Sequence, residues 1–119
     1  ILLKLHHPIE PDIMLMVSTK GIWLTNKKYK QVEENQFVKA LSKELALSGI
    51  RVNAVAPGAI QTAMMSDFTD EDIFEIKGDI PMGRLGIPEE VANGVSFLVS
   101  DQSSYMTGQV LAINGGWHV

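Results

Sequence analysis

Cysteine is absent from the 119 residues, which excludes disulfides, thiolate catalysis and cysteine-based zinc sites. Histidine is scarce: His6, His7 and His118 are too few and too scattered for a metal cluster, and the adjacent His6-His7 pair reads as a solvated terminus. No metal site is expected. Positive charge is in deficit, with 10 Lys and Arg against 14 Asp and Glu and a formal net charge of -4. That balance gives no electrostatic reason for a nucleic-acid partner. The longest apolar runs fall far short of the roughly 20 residues that span a bilayer, and no charged, apolar, small-residue leader opens the sequence. A membrane partner is therefore not expected, and a cytoplasmic setting is. What is present is enough apolar material for a core, 45% of residues.

The most informative stretch is Gly49-Ile-Arg-Val-Asn-Ala-Val-Ala-Pro-Gly58. Ser48-Gly49 stops a helix, because glycine accepts the left-handed conformation that a helix C-terminus often needs. Ile50 to Ala56 has the small and β-branched character of a strand. Pro57 ends the ladder, and Gly58 lets backbone approach a ligand closely. In open parallel sheets ligands bind outside the carboxyl ends of strands, so Pro57 to Thr62 is the candidate contact region. Thr62 is placed to cap the following helix, whose N-terminus would face an anion. An ordinary strand-to-helix turn would use the same residues.

Elsewhere, Asp12-Ile-Met-Leu-Met-Val-Ser reads as a buried strand, whereas residues 1 to 11 show no clear period. Over Glu33 to Ser48, Phe37, Leu41 and Leu45 recur every fourth residue, with Val38 and Ala46 beside them and Lys39, Ser42, Lys43 and Glu44 turned away. A helix is expected from Thr62 through Asp67 to Glu75. Another starts at Pro88, with Glu89 and Glu90 in the first turn and Val91, Val95 and Leu98 on one face. Gln109 to Ile113 is the last strand, ended by Gly115-Gly116. Strand, helix, strand, helix, helix, strand without repeats predicts one parallel α/β layer with right-handed crossovers.

Four blocks carry a family resemblance: Phe37-Val-Lys-Ala-Leu-Ser-Lys-Glu-Leu-Ala, then Gly49 to Thr62, then Ile80-Pro-Met-Gly-Arg-Leu-Gly-Ile-Pro-Glu-Glu-Val-Ala, and the tail Phe97 to Trp117 with its Asn-Gly-Gly-Trp end. In this order they resemble the short-chain dehydrogenase/reductases, most closely the bacterial 3-oxoacyl-acyl-carrier-protein reductase type. The resemblance starts near residue 13 and is strongest over 37–119. It implies a partial Rossmann-like, doubly wound parallel sheet in a single partial domain over residues 1–119, the C-terminal half of a longer fold. The Gly-rich turn that seats a pyrophosphate after a first strand has no counterpart in the sequence.

The resemblance also implies NAD(P)H as cofactor, a small carbonyl or acyl thioester as substrate, and a homo-oligomer built through Phe37 to Ala46 and Gln109 to Trp117. It places Pro57, Gly58, Ile60 and Thr62 beside the nicotinamide carboxamide and a nearby phosphate. Met64, Met65 and Phe68 would either form a substrate lid or fill gaps in a core. Arg84 would either pair with an anionic substrate or hold structure.

Carbonyl reduction needs a proton donor, and a phenol with a pKa of about 10 needs a nearby cation to work near neutrality. The family supplies a Tyr with a Lys four positions later, helped by a hydroxyl residue at the end of the preceding strand. Thr19 falls at that hydroxyl position, where strand-end capping is the alternative role, and Tyr29 is the candidate phenol. The residue four after Tyr29 is Glu33, however, and a carboxylate raises a phenol pKa rather than lowering it. Ungapped counting from Phe37 puts Lys27 and Gln31 at the paired positions instead. The catalytic pair is thus expected not to be intact. Two readings follow: part of a carbonyl-reducing oxidoreductase, or a catalytically silent module that keeps the family's association surfaces.

Overall fold

The structure is a computed structural model that describes residues 2–5, 13–17 and 34–117. Four strands form one sheet in the order β1 (Leu2–Leu5), β2 (Ile13–Val17), β3 (Val52–Pro57) and β4 (Val110–Ile113). Strands β2, β3 and β4 are parallel, with Met14 opposite Val52 and Ala54 opposite Val110. Helix α1 (Glu34–Leu45) links β2 to β3. Helices α2 (Asp70–Asp79) and α3 (Pro88–Val99) lie between β3 and β4.

Val52 to Val55 are buried without interruption, so both faces of the sheet are covered along β3. Val52 and Ala54 pack with Val38, Leu41 and Leu45 of α1 and with Val110. Val55 packs with Leu98, Val91 and Val95 of α3 and with Leu111 and Ile113. A strand with period-2 side chains and apolar neighbours on each side must be nearly apolar throughout, as Val-Asn-Ala-Val-Ala-Pro is. The exception, Asn53, is 2% exposed and fully partnered. Its Nδ2 donates to the Met106 carbonyl at 3.0 Å, and its Oδ1 accepts from the Gln109 amide at 3.1 Å. It thereby ties the turn before β4 to the middle of the sheet.

Three expectations need correction. Leu2–Leu5 forms a strand antiparallel to β2, where no period was read and a wholly parallel layer was expected. Four residues are too few to reveal a period, and residues 6–12 are too few for a parallel crossover, which takes about a dozen. Ser42, expected to face away, is buried against Gly108, because it sits one turn from Val38 on the same stripe and its hydroxyl donates to the Lys39 carbonyl at 2.8 Å. The helix expected from Thr62 is split. A 3-10 turn covers Ala63–Asp67, and α2 starts only after Thr69. Thr69 and Asp72 form a reciprocal capping box, which fixes the helix start there.

The end of α1 follows the Gly49 expectation. The Ile50 amide donates to the Leu45 carbonyl and the Gly49 amide to that of Ala46, with Gly49 at φ 75°. That is the paired-bond Schellman ending, and Leu45 and Ile50 add its apolar contact within the α1 core. Arg51 then reaches across β4's approach, donating to the Ser103 hydroxyl and to the Met106 and Ser100 carbonyls.

Among the described residues no helix is long and apolar enough to cross a membrane.

Candidate functional site

The carboxyl ends of β3 and β4 open onto a cleft of about 480 Å³. Its walls come from three segments that the sequence keeps far apart: Ala59 and Ile60 after β3, Met82 to Gly86 before α3, and Ala112 to Gly116 at the end of β4. Each junction between them is a close backbone contact at a glycine.

Gly58 donates to the Ile113 carbonyl at 2.9 Å. A Cβ at this position would lie 2.7 Å from Asn114 Cα, below any real contact. The space that glycine leaves open is occupied by the chain's own β4 end, so the close approach is backbone to backbone. The Asn114 side chain accepts from the Gly116 amide and donates to the Trp117 carbonyl, which closes the terminal turn. Gly115 and Gly116 both have positive φ and sit flush against Ile80 and Pro81, and the Met82 amide donates to the Gly115 carbonyl.

The post-β3 turn is fastened on its other side by an isolated parallel bridge between Ile60 and Gly86. The Gln61 amide donates to the Gly86 carbonyl at 2.8 Å, and the Gly86 amide to that of Ala59 at 2.9 Å. A Cβ on Gly86 would meet Ile60 Cδ1 at 2.7 Å, so the end of the Ile60 side chain would have to shift to admit one.

Two charged residues at the cleft wall are already matched to each other. Arg84 Nη1 and Nη2 donate to Glu90 Oε2 and Oε1 at 3.0 and 2.6 Å, a bidentate pair. Arg84 also donates to the Leu85 carbonyl, and Glu90 accepts from the Ile87 amide at 2.9 Å. The Arg84 hydrogen bonds, with the Ile87 amide second, hold the Glu90 carboxyl down at about 2. The same partner raises the Arg84 guanidinium further. Arg84 is therefore committed to a structural contact, the second of the roles open to it.

The residues singled out in the sequence fare differently. Ile60 lines the cleft. Pro57 pairs with Ile113 at the end of the ladder, and Gly58 lies against Asn114. Thr62 is exposed and begins the 3-10 turn without a side-chain cap bond. The anion-facing helix N-terminus expected after it is absent, because the α-helical start has moved to Asp70-Glu71-Asp72, where three carboxylates would repel an anion. Met64 and Phe68 are exposed. Thr19 and Tyr29 lie outside the described residues. Reading by motif missed Asn114 and the Ile60–Gly86 bridge, although Asn-Gly-Gly after a strand is itself a turn signal.

Parallel strands, helices on both faces and a cleft at the strands' carboxyl ends define a partial Rossmann-like doubly wound α/β fold. Residues 28–118 match the family model described as enoyl-(acyl carrier protein) reductase. The oxidoreductase YmfI of Bacillus subtilis is 58% identical over 85 residues, which cover 71% of this chain and 35% of that protein. The 3-oxoacyl-[acyl-carrier-protein] reductase FabG of Aquifex aeolicus is 52% identical over 80 residues, 67% of this chain and 32% of FabG. FabG of Escherichia coli is 46% identical over 83 residues, 70% and 34% of the two chains. The chain belongs to the short-chain dehydrogenase/reductase family. It spans about a third of the length of the curated relatives it matches.

Proposed function

We propose that this chain forms the nicotinamide-side part of an NAD(P)H-dependent oxidoreductase that reduces a carbonyl, with a 3-oxoacyl thioester as the substrate class. The observation that carries the reading is the turn Ala59 to Thr62. It is held from both sides by Ile113 and Gly86, and it keeps donors in hand. Among the described residues the amides of Ile60 and Thr62 donate to no protein acceptor, and the Thr62 hydroxyl makes no cap bond. A donor set of this kind fits the carboxamide oxygen and phosphate of a nicotinamide nucleotide. Ile60 supplies an apolar surface beside it.

When bound, the cofactor would supply a hydride to the carbonyl carbon, while a protein or solvent group protonates the oxygen to give an alcohol. Thr19 and Tyr29 are the candidates for that second task, and the sequence puts Glu33 four positions after Tyr29, where the family's pattern has a lysine. The family description and the named relatives differ in the bond reduced, carbon–carbon in an enoyl reductase and carbon–oxygen in a 3-oxoacyl reductase. The similarity to FabG from several bacteria favours the carbonyl.

A cytoplasmic setting accompanies this reading. The second reading, a silent module that associates with copies of itself or a relative, is favoured by Phe37 on α1, 44% exposed, and by Leu47, fully exposed just beyond it.

Calorimetric titration of the chain with NADPH and NADH, alongside its light-scattering mass, separates the two readings. Saturable binding is the expected result. A folded, monodisperse sample that binds neither nucleotide overturns the cofactor reading and leaves association.

A further inference from the structure

The Arg84–Glu90 pair lies at one end of a chain of contacts whose other end is the post-β3 turn. Glu90 is on the first turn of α3, and Leu98 anchors that helix at 1% exposure against Val55. From this fixed base the carboxylate takes three hydrogen bonds, two from Arg84 and one from the Ile87 amide. The two partners bracket Gly86. Ile87 is extended, at φ -114° and ψ 155°, as a residue before proline must be. Gly86 passes the constraint on through its amide to Ala59 and its carbonyl to Gln61. Nothing else among the described residues holds the outer side of that turn, since Met64 and Phe68 beyond it are exposed and the 3-10 turn buries no residue.

We propose that Glu90 is a positioning residue: clasping Arg84 and the Ile87 amide, it fixes Gly86 and so sets where Ile60 and Thr62 present their donors. The clasp needs no ligand to form. Its effect on nucleotide affinity rests on the cofactor reading above, but its effect on backbone order does not. Glutamate suits the task because it accepts three bonds at once. Lysine in place of Arg84 keeps the charge but loses the two-pronged fork.

The test is amide hydrogen exchange on the whole chain as wild type, E90A and R84K, with NADPH titration beside it. In E90A the Gln61, Gly86 and Ile87 amides are expected to exchange about tenfold faster, with a smaller increase in R84K, while the β3 amide of Ala54 keeps its wild-type rate. NADPH affinity is expected to fall about tenfold in E90A, the scale that a slight displacement of a contact turn produces. Wild-type exchange at Gln61 and Gly86 in both variants overturns the clasp. Acceleration that extends equally to Ala54 in both overturns it too, because Glu90 would then serve only global stability. Faster exchange with unchanged NADPH affinity overturns its role in presenting the donors. Failure of the wild-type chain to bind NADPH overturns the cofactor reading and leaves the exchange result to decide the clasp.

Discussion

The chain after β3 falls into two stretches of opposite construction. From Ile80 to Ile113 the chain returns repeatedly to the sheet. Ile80, Leu85 and Leu98 are buried, α3 packs across β2, β3 and β4, and Gly94 faces the Ile113 side chain closely. From Thr62 to Asp79 no residue is buried, and Met64, Phe68 and Phe74 stand exposed. Local capping and turn hydrogen bonds dominate the second stretch, whose Met65, Ile73 and Ile76 are only half-buried, whereas the first is ordered by the core. The cleft lies where they meet, so its rigid wall belongs to one kind of structure and the chain leading away from it to the other. That division predicts that the Thr62–Asp79 stretch can loosen without disturbing the sheet.

The largest test of the contrast is Leu98→Ala. Leu98 fills the α3 core against Val55, so truncation is expected to cost about 2–5 kcal/mol, read as a shift in the denaturant midpoint. Asn53→Ala should come next. It leaves the Gln109 amide without its acceptor and the Met106 carbonyl with Arg51 as its remaining donor, at a cost of about 1–3 kcal/mol. If Asn53→Ala proves neutral, β4 is not tied through this side chain, and the firm half of the comparison rests on apolar packing alone.

A smaller effect is expected from acid. Glu90 sits at about 2 when folded, against an ordinary 4.5, and Asp72 is lowered by its side-chain bond with Thr69 and then by the Thr69 backbone bond. A carboxyl whose folded pKa is depressed adds stability above its unfolded pKa and loses it as pH falls toward the folded one. The clasp should therefore be at full strength from neutral pH down to about 4.5 and loosen between there and about 2, and the α2 cap should weaken in the same direction as acid is added. Amide exchange at Ile87, followed through that window and corrected for the intrinsic pH dependence of exchange, measures the change. A constant protection factor down to pH 2 would show that the carboxylate does not hold the amide.

The segments ordered by the core are also the legible ones. Gly49-Ile-Arg-Val-Asn-Ala-Val-Ala-Pro-Gly carries its strand in composition and its helix stop in one glycine. Pro88-Glu-Glu-Val carries a helix start in the proline and the acidic first turn. These signals are local, and packing reinforces them. Thr62 to Glu75 reads as a single helix because its acidic residues suit a helix anywhere, while the decisive signal is the Thr69-x-x-Asp72 box. Ser42 was misplaced because a hydroxyl looks exposed until its bond to the Lys39 carbonyl is known. The cleft was legible only in part. Ile60 stood in the turn motif, but Gly86 and Asn114 reach it through tertiary contacts that no spacing along the chain encodes.

Thr69→Ala provides the finest test. The substitution removes the hydroxyl that accepts from the Asp72 amide at 3.2 Å and donates to Asp72 Oδ2 at 2.7 Å. Loss of such a cap weakens a helix by about 1 kcal/mol, so exchange at Ile73 to Ile76 should accelerate about fivefold. Because α2 buries no residue, little of that loss should reach the sheet, and the global denaturant midpoint should move by less than about 0.5 kcal/mol equivalent. A global shift as large as the local one would mean that α2 unfolds together with the core. The two stretches would then be a single cooperative unit, and the freedom assigned to Thr62–Asp79 would be lost.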